Sequence, residues 1–318
     1  MNMTLVRLLA TRIAIAILTL LFVSVAVFVG TGILPGDVAE AVLGQSATPE
    51  AVAGLRQALH LDQPPYTRYF LWLDGLLRGD PGRSLVNGLP VARLLASRFQ
   101  NSLMLAVVTT VICVPIALAL GILSAIRRDS PFDRAASFLT LSVVAVPEFL
   151  IATVCVFVFA VHLHWFPALS YGAGIVPLDQ TFRLLALPVL TLSCVTIAQM
   201  MRITRAALID TLGSPYVEMA ALKGARPMRV VLTHALPNVI GPIANAVALS
   251  LSHLVGGTII VEIVFNYPGL GRLLVDAVST RDMPLVQACS MIFCSTYLLL
   301  LMFADIVIIL ANPKLRHR

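Results

Sequence analysis

The sequence predicts an all-α membrane protein with about six transmembrane helices, and three observations carry that expectation. The chain has 318 residues, of which 58% are hydrophobic and only 12% charged; soluble domains average about 45–50% apolar and about 25% charged. A soluble chain of this length needs charge to cover its surface. The apolar residues fall in runs long enough to cross a bilayer core about 30 Å thick, which takes about 20 helical residues. The basic residues cluster in short segments between those runs.

The first run extends from Ile13 to Leu34. It is longer than a signal-peptide core and no clear cleavage site follows, so it reads as a retained span. The others are Ser102–Ala125, Ser137–Val161, Leu184–Met201 (the shortest), Ile240–Phe265 and Ala288–Ala311. Backbone facing lipid has to satisfy its polar groups internally, so these runs are helices. The organisation that follows is a tail and first helix over 1–34, an extracytoplasmic segment over 35–101, a five-helix core over 102–311 with an inner loop at 206–239, and a tail over 312–318.

Orientation comes from the basic residues. With both termini in the cytoplasm, the inner segments hold Arg7, Arg12, Arg127, Arg128, Arg134, Arg202, Arg205, Lys223, Arg226, Arg229, Lys314, Arg316 and Arg318. The outer arginines are fewer, and most sit in one long loop where the positive-inside rule has little force. The net charge of +6 is therefore spread along one membrane face rather than gathered into a nucleic-acid patch. The five cysteines lie inside apolar runs with no CxxC pair, which argues against disulfides and against a zinc or redox site.

Two non-membrane segments are organised. In the outer one, Thr48-Pro49-Glu50 reads as a helix start. A second helix starts at Pro65, with Tyr66, Tyr69, Phe70, Leu73, Leu76 and Leu77 on one apolar face that packs on the membrane body or recognises solute. Gly79, Pro81 and Gly82 form a turn, and Val91, Leu94, Leu95 and Phe99 suggest a short interfacial helix before the second span. In the inner segment, Gly213-Ser214-Pro215 restarts a helix with Ser214 as cap. That helix ends at Gly224 in a left-handed cap. A short helix follows from Pro227 to Leu236, and Pro237 marks a break. Ala220, Ala221 and Gly224 are small enough for a partner surface to approach the backbone, and a loop this long without function is uncommon.

Catalytic signatures are missing. Of the two lysines, neither lies in GxxxxGK[ST], and there is no HExxH or GxSxG. His162 and His164 beside Trp165 suit interfacial anchoring better than metal binding. Glu148, Glu262 and Asp305 lie within or at the ends of apolar runs, where acids often mark a pathway or a pairing partner. Glu148 follows Pro147 at an expected kink, and Glu262 and Asp305 lie near helix ends. His253 either lines a water-filled path or bonds to a neighbouring helix. The low-specificity path candidates are thus Glu148, His253 and Glu262. Pro115, Gly121, Pro147, Pro188, Gly256 and Gly257 interrupt the spans and favour close packing and rocking.

The inner segment reads Tyr216-Val217-Glu218-Met219-Ala220-Ala221-Leu222-Lys223-Gly224, then His234-Ala235-Leu236-Pro237-Asn238. It resembles the cytoplasmic EAA loop of bacterial ABC importer permeases, in particular the B-type subunit of dipeptide and oligopeptide permeases. Glu218, Ala220, Gly224, Leu236 and Pro237 fit the pattern, with Met219 where its first Ala stands. Lys223, His234, Ala235 and Asn238 fit the peptide subgroup. Leu34-Pro35-Gly36-Asp37, Leu61-Asp62-Gln63-Pro64, Gly79-Asp80-Pro81-Gly82-Arg83-Ser84, Pro268-Gly269-Leu270-Gly271-Arg272, Arg281-Asp282 with Pro284, and Asn312-Pro313-Lys314-Leu315-Arg316 are similar to further family motifs in the family's order, with His60, Pro81 and Asn312 as departures.

The resemblance implies a type I ABC importer membrane fold in a bacterial inner membrane, with a long periplasmic segment after the first helix. It implies that the 206–239 loop is a coupling element, with Glu218, Ala220, Lys223 and Gly224 as its docking surface and Glu218 orienting the helix rather than doing chemistry. It further implies a second, C-type permease subunit, two P-loop ATPase subunits that use ATP and Mg, and an extracytoplasmic solute-binding protein, with no cofactor on this chain. Such relatives carry dipeptides, oligopeptides, nickel, opines or oligosaccharides. An ion-gradient-driven secondary transporter is the alternative; it predicts inverted repeats and clustered acids, and neither stands out here. A membrane anchor that moves no solute leaves the organised loop unexplained.

Overall fold

A computed structural model describes residues 3–33, 48–58, 62–170 and 178–311. The motifs at Leu34 to Asp37 and at Asn312 to Arg316, together with His60 and Leu61, lie outside the described residues. The elements are α1 (Met3–Ile33), α2 (Pro49–Ala58), α3 (Pro65–Leu77), α4 (Val91–Ile126), α5 (Pro131–Ala145), α6 (Glu148–Cys155), α7 (Leu178–Leu212), α8 (Pro215–Leu222), α9 (Leu236–Val264), α10 (Leu270–Ser279) and α11 (Met283–Ala311). A π-helical stretch, Val156–His162, extends α6; a single turn at Pro227–Arg229 and a second π-helical stretch, Val230–Ala235, lead into α9. Among the described residues the nearest thing to a strand is one isolated bridge between Arg83 and Pro90.

Five helical stretches are long and apolar enough to cross a membrane: Ala10–Ile33, Val91–Ile126, Gln180–Leu212, Val230–Val264 and Met283–Phe303. The pair Pro131–Ala145 and Glu148–His162 makes a sixth if counted as one span, but it is bent by 104°. The kink expected at Pro147 in the helix over Ser137–Val161 is a full break between two helices. Val146 is extended (φ −91°, ψ 129°), as a residue before proline prefers, and α6 restarts at Glu148. The fourth span, expected as the shortest, is a 35-residue helix from Leu178 to Leu212. Hydropathy measures the apolar stretch, whereas the helix continues through Arg202, Arg205 and Asp210. Val91 to Phe99 form no separate interfacial helix; they open α4 and bury Val91 and Leu95.

The chain forms two compact units. The first comprises Met104–Tyr267 with Met1–Ile13 and Tyr297–Arg318. Its centre packs Leu105, Ala152, Cys155, Leu185, Leu187, Leu192, Val261 and Phe265. A second cluster, Ala125, Leu208, Val231, Ala235 and Val239, ties α4 and α7 to the start of α9. Gly121 lets α4 and α7 approach closely: a Cβ there would lie 2.9 Å from the Thr204 side chain and 3.0 Å from the Met201 carbonyl oxygen. Arg205 clamps α7 to the start of α5, donating from Nε and Nη2 to the two Asp133 carboxylate oxygens at 2.6 and 2.7 Å. Asp133 is only 2% exposed. Its backbone amide donates to the Ser130 hydroxyl, and its carboxylate accepts the Asp129 amide. Asp305, in α11, pairs with Arg12 at 3.2 Å.

The second unit comprises Ala14–Leu103 and Pro268–Thr296. Here α3 packs on α1 through Tyr69 and Trp72 against Phe28, with the Tyr69 and Ser24 hydroxyls 2.8 Å apart. The expected single apolar face is split, because Tyr66, Phe70 and Leu77 are exposed. The stretch from Pro268 to Pro284, expected as a loop, contains α10. Its core joins Val91 and Leu95 to Leu270, Ala277, Leu285 and Cys289. Three of the sequence motifs meet within this unit. Asp282 accepts hydrogen bonds from the Ser84 hydroxyl and from the Leu85 amide at 3.1 Å. Asn101 donates to the Pro268 carbonyl at 2.8 Å, and the Leu270 amide donates to the Ser102 hydroxyl at 2.7 Å.

Removing one partner of a buried, bidentate pair strands the other charge. Arg205→Ala is expected to destabilise the first unit by about 3 kcal/mol. Thermal unfolding in detergent checks it: a melting temperature equal to the wild type's refutes the clamp.

Candidate functional site

The inner segment folds as an elbow. α7 ends at Leu212, Gly213 and Ser214 turn the chain, and α8 begins at Pro215, whose fixed φ suits a first helical position. The Ser214 carbonyl accepts the Val217 and Glu218 amides. Its hydroxyl, expected as a side-chain cap, donates instead to the Thr211 carbonyl at the end of α7. Gly224 terminates α8 as the sequence predicts, with φ +82°. The Ala225 amide reaches back to the Ala220 carbonyl at 3.4 Å, closing a Schellman-type turn.

The exit differs from expectation. The helical stretch expected from Pro227 is present, mostly as π-helix, but the break expected at Pro237 does not occur. The chain passes through a π-helical stretch and enters α9 at Leu236 without interruption, with Pro237 in its first turn. The missing Pro237 amide falls just after the π-helical stretch, where the bonding pattern has already shifted and the helix can absorb the lost bond. The Asn238 side chain donates to the His234 carbonyl at 2.8 Å. His234 and Leu236 are half-buried and Pro237 is exposed.

Among the described side chains of α8, Val217 is the buried anchor, 1% exposed. Tyr216, Met219 and Leu222, spaced three apart, form an exposed apolar face, and Leu222 is 75% exposed. Glu218, Lys223 and Gly224 are exposed beside it and Ala220 is half-buried; Ala221 occupies the last full turn. Glu218 lies in the first turn, where a carboxylate favours the helix dipole. Among the described residues it has no side-chain hydrogen bond or ion pair. It borders a cleft of about 530 Å³ lined by Ile126, Leu212, Val217, Ala225, Val230 and Val231. The elbow thus offers an apolar ridge, a basic flank and a cleft.

The path candidates separate. His253 is exposed on α9, in a stripe with Asn245, Leu249, Gly256, Ile260 and Ile263. Glu262 is fully buried on the opposite side of α9 and does not share that stripe. Beyond the end of the helix, burial and the neighbouring Glu262 push the Tyr267 hydroxyl well above its ordinary pKa. Glu148, half-buried at the start of α6, sits against Gly257 of α9: a Cβ on that glycine would lie 2.6 and 2.8 Å from the carboxylate oxygens. His162 and His164 are exposed, and no metal-ligating cluster of three or more occurs among the described residues.

Residues 117–317 match the family described as binding-protein-dependent transport system inner membrane component, and residues 5–120 match its N-terminal counterpart. The chain belongs to that family. It is similar to the probable peptide ABC transporter permease protein y4tP of Sinorhizobium fredii, 33% identical over 309 residues covering 96% of this chain and 98% of that protein. It is 37% identical over 300 residues to the glutathione transport system permease protein GsiC of Escherichia coli K12, covering 94% of this chain and 95% of that one. The chain is a multi-pass permease component of an ABC importer with the type I importer fold, and its family is a membrane component rather than an enzyme.

Three features escaped the sequence reading. The Asp133–Arg205 clamp was signalled by Ser130-Pro131 ahead of Asp133, a helix-start pattern with an acid at the third position. The Tyr216–Met219–Leu222 ridge shows only once α8 is known to be anchored through Val217. The Glu148–Gly257 approach has no local signal at all.

Gly224 faces open space, so substitution there acts through backbone alone. Gly224→Val is expected to cost about 1–2 kcal/mol in the turn and to speed amide exchange at Ala225. Gly224→Asn, which tolerates the left-handed region, leaves exchange near the wild-type rate. Equal exchange in both variants counts against the cap.

Proposed function

We propose that this permease subunit forms half of the translocation path for a peptide-like solute in a bacterial inner membrane, and that its elbow takes up motion from a separate ATPase. The observation that carries the proposal is the exposed Tyr216–Met219–Leu222 ridge on a short helix, joined by two residues to α7 and by a brief connection to α9. Such a ridge is costly to leave in water, and a groove on a P-loop subunit would cover it. Lys223, Arg226 and Arg229 flank it, which suits the cytoplasmic side and an acidic groove rim. Glu218, Ala220, Ala221, Lys223 and Gly224 complete the docking surface, with His234, Leu236 and Pro237 fixing the exit into α9.

Nucleotide chemistry belongs to the partners: two ATPase subunits bind ATP and Mg, a C-type permease supplies the other half of the path, and an extracytoplasmic binding protein delivers the solute. The peptide-like solute is supported by the named relatives. The exposed Tyr66, Phe70 and Leu77 side chains of α3 are the surface offered to the binding protein.

Cysteine at Met219 or Leu222 is expected to cross-link to a P-loop ATPase subunit in membranes and to react with label only from the cytoplasmic side. Labelling from outside, or uptake by a unit that lacks any ATPase, overturns the reading. Gly224→Trp should insert normally yet lower uptake at least tenfold; unchanged uptake removes the elbow from the mechanism.

A further inference from the structure

The acids in the spans have different fates. Asp133 is held by Arg205, Asp305 by Arg12, and Glu262 is enclosed within the protein. Asp210, near the end of α7, is exposed, whereas Glu148 is half-buried and among the described residues its carboxylate has no hydrogen bond and no ion pair. It lies close to the midpoint of the broken Pro131–His162 pair, at the residue where the chain resumes its helix after the 104° bend. The dipole of α6 offsets part of its desolvation, but among the described residues no side chain meets the charge.

The space around Glu148 is set up for the charged side chain. Gly257 leaves room on α9 that any larger residue would fill, because a Cβ there would lie within 2.8 Å of both carboxylate oxygens. Gly257 is buried, while its neighbour Gly256 belongs to the exposed stripe with Asn245, Leu249, His253 and Ile260. A stripe mixing Asn and His with apolar residues is a poor lipid face and a good wall for a hydrated path. Glu148 therefore sits at the edge of that wall, half-buried and still reachable.

We propose that Glu148, seated against Gly257 beside the Asn245–His253–Gly256 stripe, is a binding site for the protonated amine of the solute during translocation. The inference rests on the peptide-importer reading and narrows it: a peptide-like solute carries a free ammonium group, and a lone carboxylate in a low-dielectric wall recognises a cation more strongly than one in water. His253, one turn before Gly257 on the same wall, supplies a further hydrogen-bonding group for the remaining polar atoms.

The test uses the assembled importer in proteoliposomes, with saturating binding protein and dialanine as probe. Glu148→Gln keeps the shape and removes the charge. It is expected to assemble, to retain binding-protein-stimulated ATP hydrolysis within about twofold, and to lose dialanine uptake by on the order of tenfold or more, the effect of one charge-assisted contact. Gly257→Ala, which displaces the carboxylate, should give the same split between hydrolysis and uptake. Glu148→Gln transporting dialanine as the wild type does overturns the site. Loss of stimulated hydrolysis together with uptake also overturns it, because that outcome marks a structural role. A wild-type assembly that hydrolyses ATP but takes up no dialanine defeats the peptide reading instead.

Discussion

Backbone amides and carbonyls cannot be left unpaired in hydrocarbon, and most of this architecture follows from that constraint. It forces the apolar runs into long helices and makes each interruption a matter of local compensation. Where Pro147 breaks the third span, Val146 turns extended and the Leu150 and Ile151 amides close on the Pro147 carbonyl. Where Pro237 enters α9, the preceding chain has already shifted to π-helical bonding and the Asn238 side chain satisfies the His234 carbonyl. Gly224 ends α8 in the left-handed conformation that lets the Ala225 amide turn back on the helix. The breaks are thus confined to places where the backbone can still be satisfied, and those are the bend in the third span and the elbow.

Charge obeys the same rule at a higher cost. Asp133 and Arg205 are both removed largely from water, and their two short hydrogen bonds, with the Asp129 amide on the carboxylate, offset that desolvation. The pair fixes α7 against the start of α5 a short distance above the elbow. On the other unit, Asp282 gathers Ser84 and Leu85 across a sequence separation of 198 and 197 residues. These two carboxylates hold together segments that hydrophobic packing alone would leave free to slide, because packing between apolar helices is weakly directional.

The helices and their order were legible because hydropathy and helix length share a cause, the thickness of the bilayer. The caps at Pro49, Pro65, Pro215 and Gly224 were legible because they depend on single residues with restricted or unusual backbone freedom. Boundaries failed where helix outlasted hydrophobicity, as in α7, whose inner end carries Arg202, Arg205 and Asp210. The bend at Pro147 was expected as a kink, but its size depends on what α6 packs against, which no local pattern encodes. The path candidates divide for the same reason. His253 and Glu262 lie on one helix and look alike in sequence, yet one is exposed and the other fully buried, since helical phase relative to the bundle is a tertiary property.

The elbow leads without a gap into the helix that carries the exposed Asn245–His253–Gly256 stripe. Val230–Val264 is a 35-residue helical stretch, and Gly257 lies about 40 Å along it from the elbow at 1.5 Å per residue. A tilt of about 10° at the inner end would therefore move Gly257 sideways by roughly 7 Å. Glu148 is on α6, beyond the bend, and α6 shares a buried core with the same stretch of α9 through Ala152, Cys155 and Val261. Among the described side chains of α8 Val217 is the buried one, so the helix presents most of its described surface outward at the end of this lever.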